Sequence, residues 1–198
     1  NILKSMLKAQ IVKDSKRVYG RKTEVVEVTN KQAVDFLEKN HLQGSSISKY
    51  RYGLSYKGEL IAIMTFSNLR KATGQKSKEG SYELIRFCNK LNHTVVGGAS
   101  KLFAHFIRTH SPDYVLSYAN RDWSTGSVYE KLGMTFKGYT PPGYFYTKSK
   151  YRFSRFQFQK HKLVEQGEDP KLTEYEIMTK NGYHRVWDTG NLKYEWKQ

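Results

Sequence analysis

The stretch from Tyr82 to Arg108 constrains this chain more than any other. YELIRFCN is an apolar run of strand length, KLNHTVVGGAS ends in a Gly-Gly turn, and KLFAHFIR has helical spacing with Ser100 in its first turn. A strand, a glycine turn and a helix in that order leave the first N–H groups of the helix without acceptors and without side chains in front of them. Such a helix start suits a phosphate or pyrophosphate, so the element points to a nucleotide-like ligand.

Size and composition bound the rest. The 198 residues are 38% apolar, enough for a core. No run reaches the roughly 18 apolar residues of a membrane span. The sequence opens on Asn1 and not on Met, and NILKSMLKAQ has neither an apolar signal core nor a cleavage site; it reads as the cut edge of a longer protein. The single cysteine, Cys88, cannot close an internal disulfide and fits a reducing, intracellular setting. Neither it nor the six histidines have ligand spacing for zinc, so no metal is predicted.

The formal charge of +16 selects among partners. It favours phosphate polyanions, and the 14% aromatic content supplies stacking surfaces as well as core. Lys and Arg outnumber Asp and Glu seven to one over residues 1–22, sixteen to ten over 23–147 and eleven to seven over 148–198. The charge is therefore spread over a folded surface rather than held in a tail.

In chain order, residues 1–22 read as a lead-in helix and a basic linker. TEVVEV (23–28) alternates like a strand, and Asn30 is placed to cap the helix KQAVDFLEKN. Tyr50–Tyr56 and Glu59–Ser67 form a hairpin about Lys57-Gly58. The turn-rich loop 68–80 follows, with Arg70, Lys71, Lys76 and Lys78 as candidate nucleic-acid contacts. After the 82–108 element come a strand (112–118), a short helix (SVYEKLG) and a strand (MTFKGY). This is an α/β plan with one mixed sheet. Residues 148–198 read as a small basic extension: a strand over 144–153, a basic helix in FQFQKHKLVEQ, a helix with a capping box at Thr173 and Glu176, and a terminal hairpin in VWDTGNLKYEW. There Arg152, Arg155 and Lys160, with Arg121 upstream, are further candidate contacts to nucleic acid.

Thr94-Val95-Val96-Gly97-Gly98-Ala99 resembles the acyl-CoA loop of the GNAT acyltransferase superfamily, Gln/Arg-x-x-Gly-x-Gly/Ala. Gly97 and Ala99 stand on the small positions and Thr94 stands where Gln or Arg is usual. The block ANRDWSTGSVYEKLGMTFKGY resembles the later signature of the same family through Asn120, Tyr129, Lys131, Leu132, Gly133 and Met134, at the expected separation. The likeness covers about residues 23–147 and implies a GNAT-like mixed, twisted sheet flanked by helices. HLQG, ELIR and the tail SRFQFQKHKL…YHRVWDTGNLKYEW resemble phage Mom-like DNA-modification proteins and the GNAT-like domains of phage homing-endonuclease-like proteins. That resemblance implies DNA as partner, the cytoplasm of a phage-infected bacterial host as location, and a nuclease domain fused or associated.

The resemblance also assigns residues. It implies acetyl-CoA or another acyl-CoA bound by Cys88, Val95, Val96, Gly97, Gly98, Ala99, Ser100, Asn120 and Tyr129. The implied catalytic set is His41, Glu83, Ser117, Asp122 and Tyr146: Glu83 as general base, His41 beside the acceptor cleft, Ser117 and Asp122 holding the acceptor or cofactor, and Tyr146 as acid for the departing thiol. Structural readings stand beside these. Glu83 also suits an ion pair with Arg86 or Arg51, His41 a helix end and Asp122 a turn cap. Two activities follow: acylation of an amine on a DNA base, which requires flipping the base out of a duplex, or DNA binding by a fold that has lost its chemistry. No His-Asn-His, GIY…YIG or LAGLIDADG pattern occurs within the chain.

Overall fold

The computed structural model describes residues 1–11, 15–69, 76 and 78–198; Arg70 and Lys71 lie outside the described residues. The elements are α1 (Ile2–Ile11), β1 (Lys16–Tyr19), β2 (Glu24–Glu27), α2 (Asn30–Asn40), β3 (Tyr50–Tyr56), β4 (Glu59–Asn68), β5 (Ser81–Asn89), β6 (His93–Val96), α3 (Gly98–His110), β7 (Tyr114–Asn120), α4 (Ser127–Lys131), β8 (Thr135–Tyr139), β9 (Tyr144–Lys148), β10 (Tyr151–Ser154), α5 (Lys160–Glu165), α6 (Glu174–Lys180), β11 (His184–Trp187) and β12 (Asn191–Lys197). They fall into two compact units. The first holds Asn1–Ala119, Gly126–Gly138 and Lys193–Gln198; the second holds Asn120–Thr125 and Tyr139–Leu192. No described helix is long and apolar enough to cross a membrane.

The first unit is built on a seven-stranded sheet of order β2-β3-β4-β5-β7-β12-β8. Strands β2 to β5 are antiparallel neighbours and β5 pairs with β7 in parallel, so the sheet is mixed. Lys57 and Gly58 both have positive φ, 52° and 78°, which is the twist that a two-residue hairpin requires. Alternation along β3 and β4 sends Ile63 to one face, against Ala33, Phe36 and Leu37 of α2. The other face carries Phe66, whose ring stacks on Phe106 of α3 at 3.7 Å. Both rings are fully buried, and losing either to alanine costs about 3–5 kcal/mol.

Three local expectations are corrected. The cap of α2 is Thr29, which forms a capping box with Gln32; Asn30 is already helical. A threonine followed three residues later by Gln satisfies two orphan N–H groups, where Asn30 would satisfy one. The basic run at Lys16 and Arg17 is not a linker but a strand, since β1 pairs in parallel with β6 from Lys16↔His93 to Tyr19↔Val96. Nor does the chain end in a hairpin: β11 pairs with β9 in a three-stranded sheet of order β10-β9-β11, whereas β12 enters the seven-stranded sheet. The Asp188 carboxylate explains the parting, because its Oδ1 accepts the N–H groups of both Gly143 (2.7 Å) and Gly190 (2.9 Å).

The second unit has its own core of Tyr146, Leu163, Ile177 and Met178 under that three-stranded sheet. The strand expected over 144–153 is two strands, turned at Ser149 with φ 54°. The basic helix is shorter than expected, a 3-10 turn over Arg155–Phe158 and then α5. The capping box of α6 is present, with Thr173 and Glu176 each closing on the other's backbone.

Candidate active site

The parallel ladder between β5 and β7 stops at Leu84↔Ser117, although β5 continues to Asn89 and β7 to Asn120. The two strands part there. A bulge accompanies the parting: Thr65 faces Arg86 and Phe66 faces Leu84, leaving Ile85 as the extra residue of β5. Ser117, fully buried, donates its hydroxyl to the Leu84 carbonyl at 2.9 Å and closes the last rung.

The start of α3 stands at the same end. Phe106 and His110, near the helix C-terminus, contact Tyr82 near the start of β5 at 5.4 and 6.2 Å between ring centres. The helix therefore runs back along β5, and its N-terminus lies toward the half of β5 that has left β7. Gly97 caps it in the left-handed region, φ 74°, and a Cβ there would meet nothing within 4 Å. The position is exposed and open to a ligand. Gly98 serves a different need: a Cβ would stand 2.9 Å from Val95 and 3.1 Å from Leu54, so the helix start is packed down on β3. Val95 and Ala99 are buried beside it, Val96 is half-buried and Ser100 is exposed. Thr94 is engaged by Ser15, just before β1, their hydroxyls 2.7 Å apart.

Tyr129, from α4, reaches the last rung of the parallel pair. Its hydroxyl is hydrogen-bonded to Ser117, and burial raises its pKa against the opposing pull of Ser117 and Arg86. The phenol therefore holds its proton at neutral pH. Its ring stacks on Tyr194 at 5.1 Å, and Gly126 at the head of α4 leaves the room that Tyr194 occupies, since a Cβ there would lie 2.0 Å from the Tyr194 hydroxyl.

By register, Glu83, Arg86 and Cys88 share the α2 face of β5. Glu83 is 1% exposed. Arg86 donates to the Gly44 carbonyl at 3.2 Å and to that of Ile85 at 3.0 Å, tying the loop after α2 to the bulge. His41 ends α2 in the same neighbourhood. Burial, with the Arg86 charge adding to it, lowers its pKa to about 4. Its Nδ1 accepts the Gln43 N–H at 3.1 Å, so the neutral ring carries its proton on Nε2 and acts outward as a donor. Cys88 packs on the α2 core, and burial pushes its thiol up to about 12, which leaves it un-ionised.

Asp122, Asn120 and Tyr146 belong to the second unit. Asn120 accepts the Asp122 N–H at 2.7 Å, and Asp122 accepts the Thr189 hydroxyl at 2.7 Å, a locally satisfied turn. Tyr146 is fully buried, its hydroxyl donated to Glu174 at 3.1 Å. Of the expected nucleic-acid contacts, Lys76, Lys78 and Lys160 are exposed. Arg121, Arg152 and Arg155 lie over the rings of Tyr139, Phe145 and Tyr144.

One residue escaped the sequence reading. Asn89, at the end of β5, has a buried side-chain oxygen without a hydrogen-bond partner. A buried acceptor at that place fits an incoming amide N–H. An Asn late in a strand carries no pattern from which this could be read. The open approach to Gly97 fits a phosphate-bearing ligand at the start of α3. Among the described residues no group of three or more His, Cys, Asp and Glu is placed to hold a metal ion.

Comparison of the sequence with protein-family models and with curated proteins gives no match. Solved structures do resemble it. The ribosomal-protein-S18-alanine N-acetyltransferase from Escherichia coli matches with a TM-score of 0.52 at 9% identity, over 88% of this chain and 93% of that one. The GNAT domain of PAT from S. lividans matches with a TM-score of 0.50 at 13% identity, over 89% and 90%. A Bacillus subtilis acetyltransferase solved in complex with CoA is also similar, with a TM-score of 0.47 at 13% identity, over 89% and 98%. The mixed sheet flanked by helices thus has the fold of GNAT acetyltransferases.

Proposed function

We propose that this chain transfers an acyl group from an acyl-CoA to an amine. The observation that carries the reading is the parting of β5 and β7 at the end where the glycine-capped start of α3 stands. The N–H groups of Gly98, Ala99 and Ser100 would hold the pyrophosphate, and Asn89 an amide of the pantetheine arm. The thioester supplies an activated carbonyl. On this reading Tyr129, which keeps its proton and is hydrogen-bonded to Ser117, turns that proton from Ser117 to the departing sulfur. Glu83 is the carboxylate that takes the proton of the amine, and His41 donates from Nε2 to orient the acceptor.

The amine, on this reading, belongs to a DNA base. The charge of +16 supports a polyanionic substrate, as does the resemblance of the tail and of HLQG to Mom-like proteins. A second reading, a DNA-holding domain without chemistry, draws on Thr94. The residue in the Gln/Arg place of the loop is taken up by Ser15, and a Cβ on Gly20 would lie only 3.3 Å from Gly97.

Mass spectrometry of oligonucleotides incubated with acetyl-CoA separates the two. The transferase reading expects a gain of one acetyl group, cut by about 100-fold or more in Glu83→Gln or Tyr129→Phe with acetyl-CoA affinity kept. No acetylation of any amine, with DNA still bound, supports the second reading.

A further inference from the structure

Two arginines of the second unit sit among aromatic rings without an ion pair among the described residues. Arg185 lies 4.2 Å from the ring centre of Tyr175, 4.6 Å from Tyr144 and 5.8 Å from Trp187. Arg155 lies 5.0 Å from the centre of the same Tyr144 ring. Of the five donors of Arg185, one makes a long bond of 3.4 Å to the Tyr146 hydroxyl, and the buried Nε has no partner. Glu174, the carboxylate nearest this cluster, is committed to the hydroxyls of Tyr144 (2.8 Å) and Tyr146 (3.1 Å).

The rings are not sealed in a core. Trp187 is 56% exposed and Tyr175 49%. Charge in the flanking sequence is one-sided, for residues 139–164 hold six Lys and Arg and no Asp or Glu. Guanidinium groups with spare donors suit phosphates, and half-exposed rings beside them suit base faces. A duplex hides its base faces in the stack; an unpaired strand offers both bases and phosphates.

We infer that the Tyr144, Arg155, Tyr175, Arg185 and Trp187 cluster binds unpaired nucleic acid, the arginines taking phosphates and Trp187 and Tyr175 stacking on bases. The inference rests on the reading of DNA as substrate and names the form of DNA that this unit holds: an unpaired strand rather than a duplex.

The test is fluorescence anisotropy on the full chain, with a labelled oligo-dT and a labelled duplex of the same length, each across a salt series. The expected result is tighter binding of oligo-dT than of duplex. Trp187→Ala should weaken oligo-dT about tenfold or more while leaving the duplex nearly unchanged. Arg155→Gln should flatten the salt dependence for oligo-dT. Tyr19→Ala, which removes an exposed tyrosine of the first unit that also carries an arginine, should change neither. Circular dichroism of Trp187→Ala checks that the fold is kept; if it is lost, Tyr175→Leu replaces it with the same expectation. Equal binding of both probes that is indifferent to Trp187 and Tyr175 overturns the inference and leaves DNA as substrate standing. No binding of either probe overturns both, and tighter capture of an acidic peptide than of oligo-dT assigns the cluster to a protein partner instead.

Discussion

His41 shows how much a residue's surroundings decide. In the sequence it is a histidine after a helix, suited equally to the acceptor cleft or to a helix end. In the fold, burial and Arg86 hold its pKa near 4 against an ordinary 6.5. The unfolded chain therefore takes up a proton on this ring between pH 6.5 and 4 that the folded chain refuses. Its contribution to stability is complete above pH 6.5 and is lost as the pH falls through 4, by an amount on the order of 3 kcal/mol. Chemical denaturation of the native chain and of His41→Asn, from pH 7 to pH 4, should give a shallower fall for the variant; parallel curves would contradict the assignment. The strand and helix motifs nominate Glu83 as a base and Tyr129 as a cofactor contact, and the proposed function gives Tyr129 the acid's place instead. Asn89 was not legible, since its meaning lies in a missing partner, and Cys88 points to the α2 core by a register that one bulge at Ile85 sets.

At the scale of elements, glycine-bounded turns and alternating strands were readable because their physics is local. The hairpin at Lys57-Gly58 and the α6 capping box lie where the residues place them. The failures are those in which a distant partner decides. The run at Lys16–Tyr19 is a strand because β6 offers an edge, and the last two strands part because Asp188 binds Gly143, forty-five residues away. Two adjacent glycines at the head of α3 do different work, which the sequence alone could not separate. Gly98→Ala would press on Val95 and Leu54, lifting the helix start at a cost of about 1–3 kcal/mol. Thermal unfolding should show the loss, and acetyl-CoA affinity should fall with it; an unchanged melting temperature would mean that the helix start is not packed as described.

At the scale of the whole molecule, the order of elements was available from the sequence and points to a GNAT-type sheet, while the charge of +16 bears only on the proposed substrate. The terminal strand's return to the seven-stranded sheet was not. Nor was the separate core around Tyr146, because the tyrosine that resemblance suggested for catalysis is the residue that this core buries completely. On the proposed function the glycine-capped start of α3 holds the pyrophosphate of an acyl-CoA. Calorimetry of acetyl-CoA binding to the native chain and to Gly97→Glu tests it most directly, since a side chain at Gly97 meets no protein atom within 4 Å at its Cβ but brings a negative charge to the mouth of the cradle. Binding by the native chain that disappears in Gly97→Glu, with the variant still folded, is the predicted result. Binding of equal strength in both, or none in either, would contradict it.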